Sequence, residues 1–168
     1  MSLSLYDITV PVFIRAFANL SAILEKGRAF ADENKIPHSE LLEARLYPDM
    51  APLTGQIQRA SDSSKFVAVR VGQIDNVPMA DTEASFDELQ ARIAATVALL
   101  KSIPADAMDG REEATVVLKA GGTERTFTAR DYVLAFAIPN FFFHITTAYD
   151  ILRHKGVPLG KLDYLGRS

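Results

Sequence analysis

The chain has 168 residues, of which 48% are hydrophobic and 23% charged, and its formal net charge at pH 7 is −3. This length is typical of one domain with a full core, and a slightly acidic balance without a basic run argues against a nucleic-acid-binding surface. The sequence contains no cysteine, which excludes disulfides, thiolate catalysis and cysteine zinc sites. We therefore treat residues 1–168 as a single domain.

The sequence indicates neither a membrane segment nor an export signal. The most apolar stretch, 132–148, is interrupted by Pro139, Asn140 and His144, so no run reaches the roughly 18 apolar residues of a membrane-spanning helix. The N-terminal segment lacks a cationic region and contains Asp7, which is unlike a signal peptide. We expect a cytoplasmic protein.

Two long helices and a short one are predicted in the first part of the chain. Between residues 3 and 31, apolar side chains recur at three- and four-residue spacing, which is one face of an amphipathic helix. A short helical turn is expected at 40–45, with Ser39 as its cap. The next helix is predicted over 49–72, with Pro52 in its first turn.

The second part of the chain predicts two more helices with a β-hairpin between them. A capping-box pattern at 85–88 begins a helix that Pro104 ends. β-Branched residues on both sides of Gly121-Gly122 indicate a two-residue hairpin, which must lie against the helices to be stable. The last helix is predicted over 129–156. Four helices without internal repeats favour an all-α four-helix bundle with a small hairpin between its third and fourth helices.

The last helix carries polar residues within a mostly apolar segment. Asn140, His144 and Thr147 lie along one stripe, and burying an amide or an imidazole is unfavourable unless each finds a partner. Gln58 and Asp62, one turn apart on the second long helix, are the expected partners. We predict contacts between Asp62 and His144 and between Gln58 and Asn140.

Two blocks of the sequence resemble an uncharacterised bacterial family. They are RLYPDMAPLTGQIQRASD at 45–62 and PNFFFHITTAYDILRHKGVPLGK at 139–161. The family is a domain of unknown function within the DinB/YfiT-like superfamily of metal-dependent enzymes. The resemblance implies a DinB-like four-helix bundle with an up-down-down-up path, often assembled as a homodimer. It also implies a site of three histidines, one from the second helix and an H-x-x-x-H pair from the last.

This chain departs from that histidine pattern. The pair on the last helix falls on Asn140 and His144, so an amide replaces one imidazole, and the helix predicted over 49–72 contains no histidine. Asparagine is a weak ligand for zinc, nickel or iron. A divalent metal would depend on His144 and Asp62, with water and amide oxygens completing its coordination. We therefore expect a degenerate metal site and no cofactor.

Three interpretations of the polar stripe remain. The favoured one is a buried polar network that fixes helix register. The second is a small-molecule pocket with Asp62, Asn140 and His144 at its polar end. The third is a metal-dependent transferase or hydrolase with an altered ligand set. The expected protein is a small-ligand-binding or interaction module of unknown specific function. We expect it to be a homodimer, with the phenylalanines at 141–143 in the core and at the subunit interface.

Overall fold

The computed structural model describes residues 3–166 as a mostly helical chain with one two-stranded antiparallel sheet. Its elements in chain order are α1 (Val10–Glu33), α2 (His38–Leu42), α3 (Leu53–Arg70), α4 (Phe86–Lys101), β1 (Thr115–Ala120), β2 (Thr123–Thr128), α5 (Ala129–Asp131), a π-helical segment (Tyr132–Ala137), α6 (Ile138–His154) and α7 (Lys161–Leu165). The predicted helices and hairpin are all present. None of these helices is both long and apolar enough to cross a membrane.

The first two long helices begin later than predicted. Before α1, Ser4 and Asp7 exchange hydrogen bonds between side chains and backbone, and these bonds hold residues 4–7 in a turn. The helix therefore starts at Val10 instead of residue 3. Pro52 has extended backbone angles and precedes α3 as its cap residue, outside the first turn.

The β-hairpin forms where Gly121-Gly122 predicts it. Both glycines have positive φ values, 57° and 74°, which suit a two-residue hairpin turn. Val116 and Leu118 are buried, whereas Val117 between them is exposed. Because alternate side chains of a strand point to opposite faces, β1 rests one face on the helices.

The core lies between four long helical elements. The helix α1 packs against α4 and α6, and α3 packs against the same two helices from the other side. On α1, Phe13 and Phe17 contact Phe141 of α6, with ring centroids 4.4 and 5.2 Å apart. Since α3 has two neighbours, it has two inward faces.

Pro139 explains the π-helical segment that precedes α6. Proline lacks a backbone N–H, and its ring presses against the carbonyl four residues earlier, which belongs to Ala135. The helix widens over Tyr132–Ala137, where its hydrogen bonds span five residues. The helix predicted over 129–156 is therefore present but not regular, and it ends at His154. We call residues 129–154 the last helix.

A buried arginine on α4 holds the segment between α3 and α4 in place. The Arg92 side chain is 2% exposed and forms ion pairs with Asp62 at 3.3 Å, Asp81 at 2.9 Å and Glu83 at 3.0 Å. It also donates to the backbone carbonyl of Ala80 at 3.0 Å. These contacts fasten the loop at 80–83 to both helices.

Candidate functional site

Three polar contacts between α3 and the last helix form the frame of the candidate site. The contributing residues of α3 are seven positions apart, which is about two helical turns, so they lie on one face. The pairs are Gln56 Oε1 with His144 Nδ1 at 2.7 Å, Ser63 Oγ with Asn140 Nδ2 at 2.7 Å, and Arg70 Nη1 with Tyr132 Oη at 2.8 Å. Both polar residues that the sequence singled out on α6 therefore have partners.

The partner of Asn140 is Ser63, whereas the sequence predicted Gln58. The Asn140 amide donates to the Ser63 hydroxyl, which itself donates to the backbone carbonyl of Arg59 at 2.7 Å. Gln58 turns to the other inward face of α3 and donates to Glu83 at 2.9 Å. The expected Gln58–Asn140 pair is wrong because Gln58 and Ser63, five positions apart, lie about 140° from each other around the helix.

The partner of His144 is Gln56, whereas the sequence predicted Asp62. The Asp62 carboxylate forms ion pairs with Lys65 at 3.0 Å and with Arg92 at 3.3 Å. The helical periodicity of the sequence places polar residues on two sides of α3. It does not show which side packs against which neighbouring helix. The two cations on the α4 side hold Asp62 there.

Thr147 does not join the three contacts. Its hydroxyl donates to the backbone carbonyl of Phe143, one turn earlier in α6, at 2.7 Å. A buried threonine satisfied by its own helix needs no partner on a neighbouring element.

The sequence analysis missed Gln56, Ser63 and Arg70, although a pattern in the sequence marks them. They recur at seven-residue spacing along α3, and the first two partners on α6 are four residues apart. This is the spacing expected of one helix face opposite another. Polar residues at seven-residue spacing on α3 and at four-residue spacing on α6 are thus the signal in the sequence for the first two pairs.

His144 is a neutral imidazole at physiological pH. The side chain is 9% exposed. Burial, with a smaller contribution from the positive charge of Arg59, lowers the pKa of His144 from 6.5 to about 4. A neutral imidazole carries one proton and one lone pair on its two nitrogens.

The polar contacts line a cavity of about 310 Å³, which we call the candidate cavity. Its wall includes Asp62, Ser63, Asn140 and His144. Three aromatic residues and one leucine supply most of the apolar lining, namely Phe66, Tyr132, Phe136 and Leu118. The stacked rings of Tyr132 and Phe136 are 5.9 Å apart, and both belong to the π-helical segment. The sequence prediction that Asp62, Asn140 and His144 share one polar region therefore agrees with their positions around this cavity.

The candidate cavity carries an excess of positive charge. Arg59, Arg70 and Lys119 line it, against the single carboxylate of Asp62, which has two cationic partners of its own. Lys119 is paired with Glu124, at 3.2 Å, so the excess comes from the two arginines. Arg70 lies over the ring of Phe66, with its guanidinium carbon 4.4 Å from the ring centroid. Arg59 forms no ion pair with any residue between 3 and 166 and donates only to the carbonyl of Gly55, at 3.1 Å. Its charge is therefore free to meet an anion.

A larger cavity of about 400 Å³ lies between α1, α6 and α7, away from all the predicted site residues. Its polar side chains are used to hold the C-terminal helix. Arg15 donates to the carbonyl of Leu165 at 2.9 Å, and Asn19 donates to that of Tyr164 at 3.0 Å. We place the candidate site at the smaller cavity because polar groups converge there from three elements.

The residues at the site do not fit a metal ion. His144 is the one imidazole at the interface between α3 and α6, and the Asn140 amide points its N–H toward Ser63. The guanidinium of Arg59 lies close enough to depress the pKa of His144, and such a charge also repels a cation. Over the described range 3–166, no three carboxylate or imidazole side chains cluster in a way that could hold a metal.

Comparison with known proteins gives the family. The family described as "Domain of unknown function (DUF1993)" matches residues 5–165. A crystal structure of a DinB family member protein from Shewanella denitrificans is similar, with a TM-score of 0.88 and 38% sequence identity, over 98% of this chain and 93% of that chain. No curated protein matches. The chain therefore belongs to the DUF1993 family, whose function is unknown, and has a DinB-like fold.

Proposed function

We propose that the protein is a small-molecule-binding module and that its ligand occupies the candidate cavity. The observation that carries the proposal is the convergence, in one cavity, of an arginine without an acidic partner in the described chain, a neutral buried imidazole and aromatic walls. Ligand sites are concave and mostly apolar, with a few placed polar groups. A polar network that served only packing would leave neither an open cavity nor an unpaired cation beside it.

The expected ligand is small, anionic and partly flat. Arg59 offers a planar fork of N–H donors, which suits a carboxylate or a phosphate. Phe66 and Phe136 offer ring surfaces against which a flat apolar group can stack. A cavity of about 310 Å³ is at the small end of the range for ligand sites.

The side chains available as metal ligands do not support the alternative of a metal-dependent transferase or hydrolase. The two positions that correspond to the histidine pair are occupied by an amide and an imidazole, both engaged with α3. Asp62, which would be the carboxylate ligand, is held by Lys65 and Arg92. We derive no reaction step that needs a metal.

We also infer the up-down-down-up path of a DinB-like four-helix bundle. In support, the contacts of Ser21 with Gln90 and of Arg28 with Asp87 pair later residues of α1 with earlier ones of α4. That order is antiparallel. The contacts of Gln56 and Ser63 with His144 and Asn140 make α3 and α6 antiparallel as well. The proposal places α3 and α4 side by side in the same direction.

An NMR titration tests the binding proposal. The probes are benzoate and its neutral amide, benzamide, followed by backbone ¹H–¹⁵N spectra. We expect benzoate, and not benzamide, to shift signals around Arg59 and His144. The charge-removing variant Arg59→Gln should abolish the shifts, whereas the matched control Arg15→Gln, which changes the larger cavity, should retain them. Shifts lost in Arg15→Gln and retained in Arg59→Gln would contradict the proposal.

A further inference from the structure

The orientation of the Gln56 amide is determined by its neighbours. Gln56 is 2% exposed, and its Nε2 donates to the backbone carbonyl of Ala51 at 3.0 Å. A carbonyl oxygen only accepts, so the nitrogen end of the amide must face Ala51. The oxygen end, Oε1, therefore faces Nδ1 of His144 at 2.7 Å.

This amide orientation determines the position of the imidazole proton. Oε1 of Gln56 only accepts, so Nδ1 of His144 must donate and must carry a hydrogen. A neutral imidazole has a single N–H, which leaves Nε2 with a lone pair. Nε2 has no hydrogen-bond partner in the part of the chain that the structure describes. Nε2 lies on the opposite edge of the ring from Nδ1, and His144 lines the cavity whereas Gln56 does not.

Asn140 supplies a second acceptor by the same reasoning. The Ser63 hydroxyl gives its hydrogen to the carbonyl of Arg59, so Ser63 Oγ must accept from Asn140. The nitrogen of the Asn140 amide therefore faces Ser63, and the oxygen of the same amide takes no part in this contact. No described residue hydrogen-bonds that oxygen. Two lining residues one helical turn apart, Asn140 and His144, thus each keep an acceptor without a partner among the described residues, and Arg59 lines the same cavity.

We propose that Gln56 holds His144 in the tautomer with its proton on Nδ1, so that the cavity selects small hydroxy acids. The ligand hydroxyl donates to Nε2 of His144, and the carboxylate pairs with Arg59. A neutral donor fits better than an ammonium group, because the charge of Arg59 opposes a second cation. Gln56 is a positioning residue in this scheme, since it acts through His144. The ligand class rests on the proposed function, whereas the tautomer does not.

The tautomer is measured directly in long-range ¹H–¹⁵N spectra of the ligand-free protein at pH 7. The chain has three histidines, and the exposed His38 and His154 serve as internal references. We expect His144 to show a protonated Nδ1 and a bare Nε2. A protonated Nε2 with a bare Nδ1, or a doubly protonated ring, would overturn the inference.

Variants of Gln56 test its positioning role. Gln56→Leu removes the acceptor, so the Nδ1 proton loses its partner and we expect the proton to move to Nε2. Gln56→Glu keeps an acceptor of nearly the same shape, so Nδ1 should stay protonated, and this variant tests the inference even if the leucine variant does not fold. Gln58→Leu, on the opposite side of α3, is the matched control and should leave the His144 signals unchanged. A Gln56→Glu protein with a bare Nδ1 would contradict the role.

The ligand class is tested by titrating the wild-type protein with mandelate and with phenylacetate, which differ by one hydroxyl group. One hydrogen bond corresponds to an affinity gain of about 3- to 10-fold for mandelate. We expect this ratio to fall to about 1 in His144→Phe, which removes Nε2 altogether. Equal affinities for the wild-type protein would overturn the inference while sparing the proposed function. Absence of binding by both acids would instead contradict the proposed function.

Discussion

The two inward faces of α3 bury polar residues in opposite ways. Toward α4, Asp62 lies between two nearly buried cations, Lys65 and Arg92, and all three of these groups are charged. Toward the last helix, Gln56 and His144 form a neutral pair beside an open cavity. On the face toward α4, the charged groups pair with one another. On the face toward the last helix, hydrogen-bond acceptors remain without a partner among the described residues. We infer that the first face holds the fold together and that the second binds a ligand.

The largest effect on stability is expected at the charged face. Arg92→Leu leaves Glu83 without its cationic partner and Asp62 with Lys65 alone, and removing one member of a buried ion pair costs about 3–5 kcal/mol. Because Asp62 is partly exposed, we expect the lower end, about 3 kcal/mol, in urea unfolding. The control Arg130→Leu, which removes a surface pair with Glu113, should cost less than about 1 kcal/mol. Equal costs for the two variants would contradict a structural role for the charged face.

Acid should destabilise the protein through His144. Its pKa is about 4 in the folded protein and 6.5 as a free group, so the unfolded chain binds its proton first as pH falls. The neutral ring therefore favours folding above pH 6.5, and this contribution is lost as pH falls through about 4. This contribution to the free energy of unfolding is about 3 kcal/mol.

Carboxylates also titrate in this range, so the measurement is a comparison of two proteins. The free energy of unfolding should fall more steeply with acid in the wild-type protein than in His144→Phe between pH 6.5 and 4. Parallel pH profiles would show that the ring is not buried as a neutral group.

A smaller effect is expected when the neutral pair is broken. Gln56→Leu removes both the partner of His144 Nδ1 and the donor to the Ala51 carbonyl, and a buried polar group left unsatisfied costs about 1–3 kcal/mol. The double variant Gln56→Leu/His144→Leu should be more stable than the sum of the single changes predicts, because neither side chain is then left without the other. Additive costs in this double-mutant cycle would indicate that the two side chains do not interact.

Arg59→Gln is expected to have the smallest effect on stability, and it should also change the pKa of His144. Arg59 is exposed and has no acidic partner between residues 3 and 166, so its removal should change the free energy of unfolding by less than about 0.5 kcal/mol. The pKa of His144 should rise, because a neighbouring positive charge is gone. NMR titration of the ring measures this pKa, and an unchanged or lower value would show that Arg59 lies too far away to act on the site.

Much of the fold could be predicted from local patterns in the sequence. The capping box at 85–88 forms as expected, with Ser85 accepting from the backbone of Glu88, and the glycine pair forms its hairpin turn. These features depend on residues close in sequence. The π-helical segment was not predicted, because Pro139 acts on a carbonyl four positions earlier and the chain can respond by kinking, ending or widening.

The candidate site could be predicted only in part, for a physical reason. Asn140 and His144 are marked by their polarity in an apolar segment, and Asp62 by its charge on the opposite helix. Their partners could not be assigned, because α3 packs on two helices and periodicity alone gives a face without saying which neighbour it meets. Gln56 and Gln58 are both glutamines and lie two positions apart. Gln56 contacts His144 of the last helix, whereas Gln58 contacts Glu83 on the α4 side.

The most direct test of the claim that the candidate cavity binds small anionic ligands is a nuclear Overhauser measurement on the protein with bound benzoate. We predict contacts from the benzoate ring to the rings of Phe66 and Phe136, which line this cavity. Contacts to Phe142 and Ile145 would place the ligand in the larger cavity between α1, α6 and α7 and would contradict the claim.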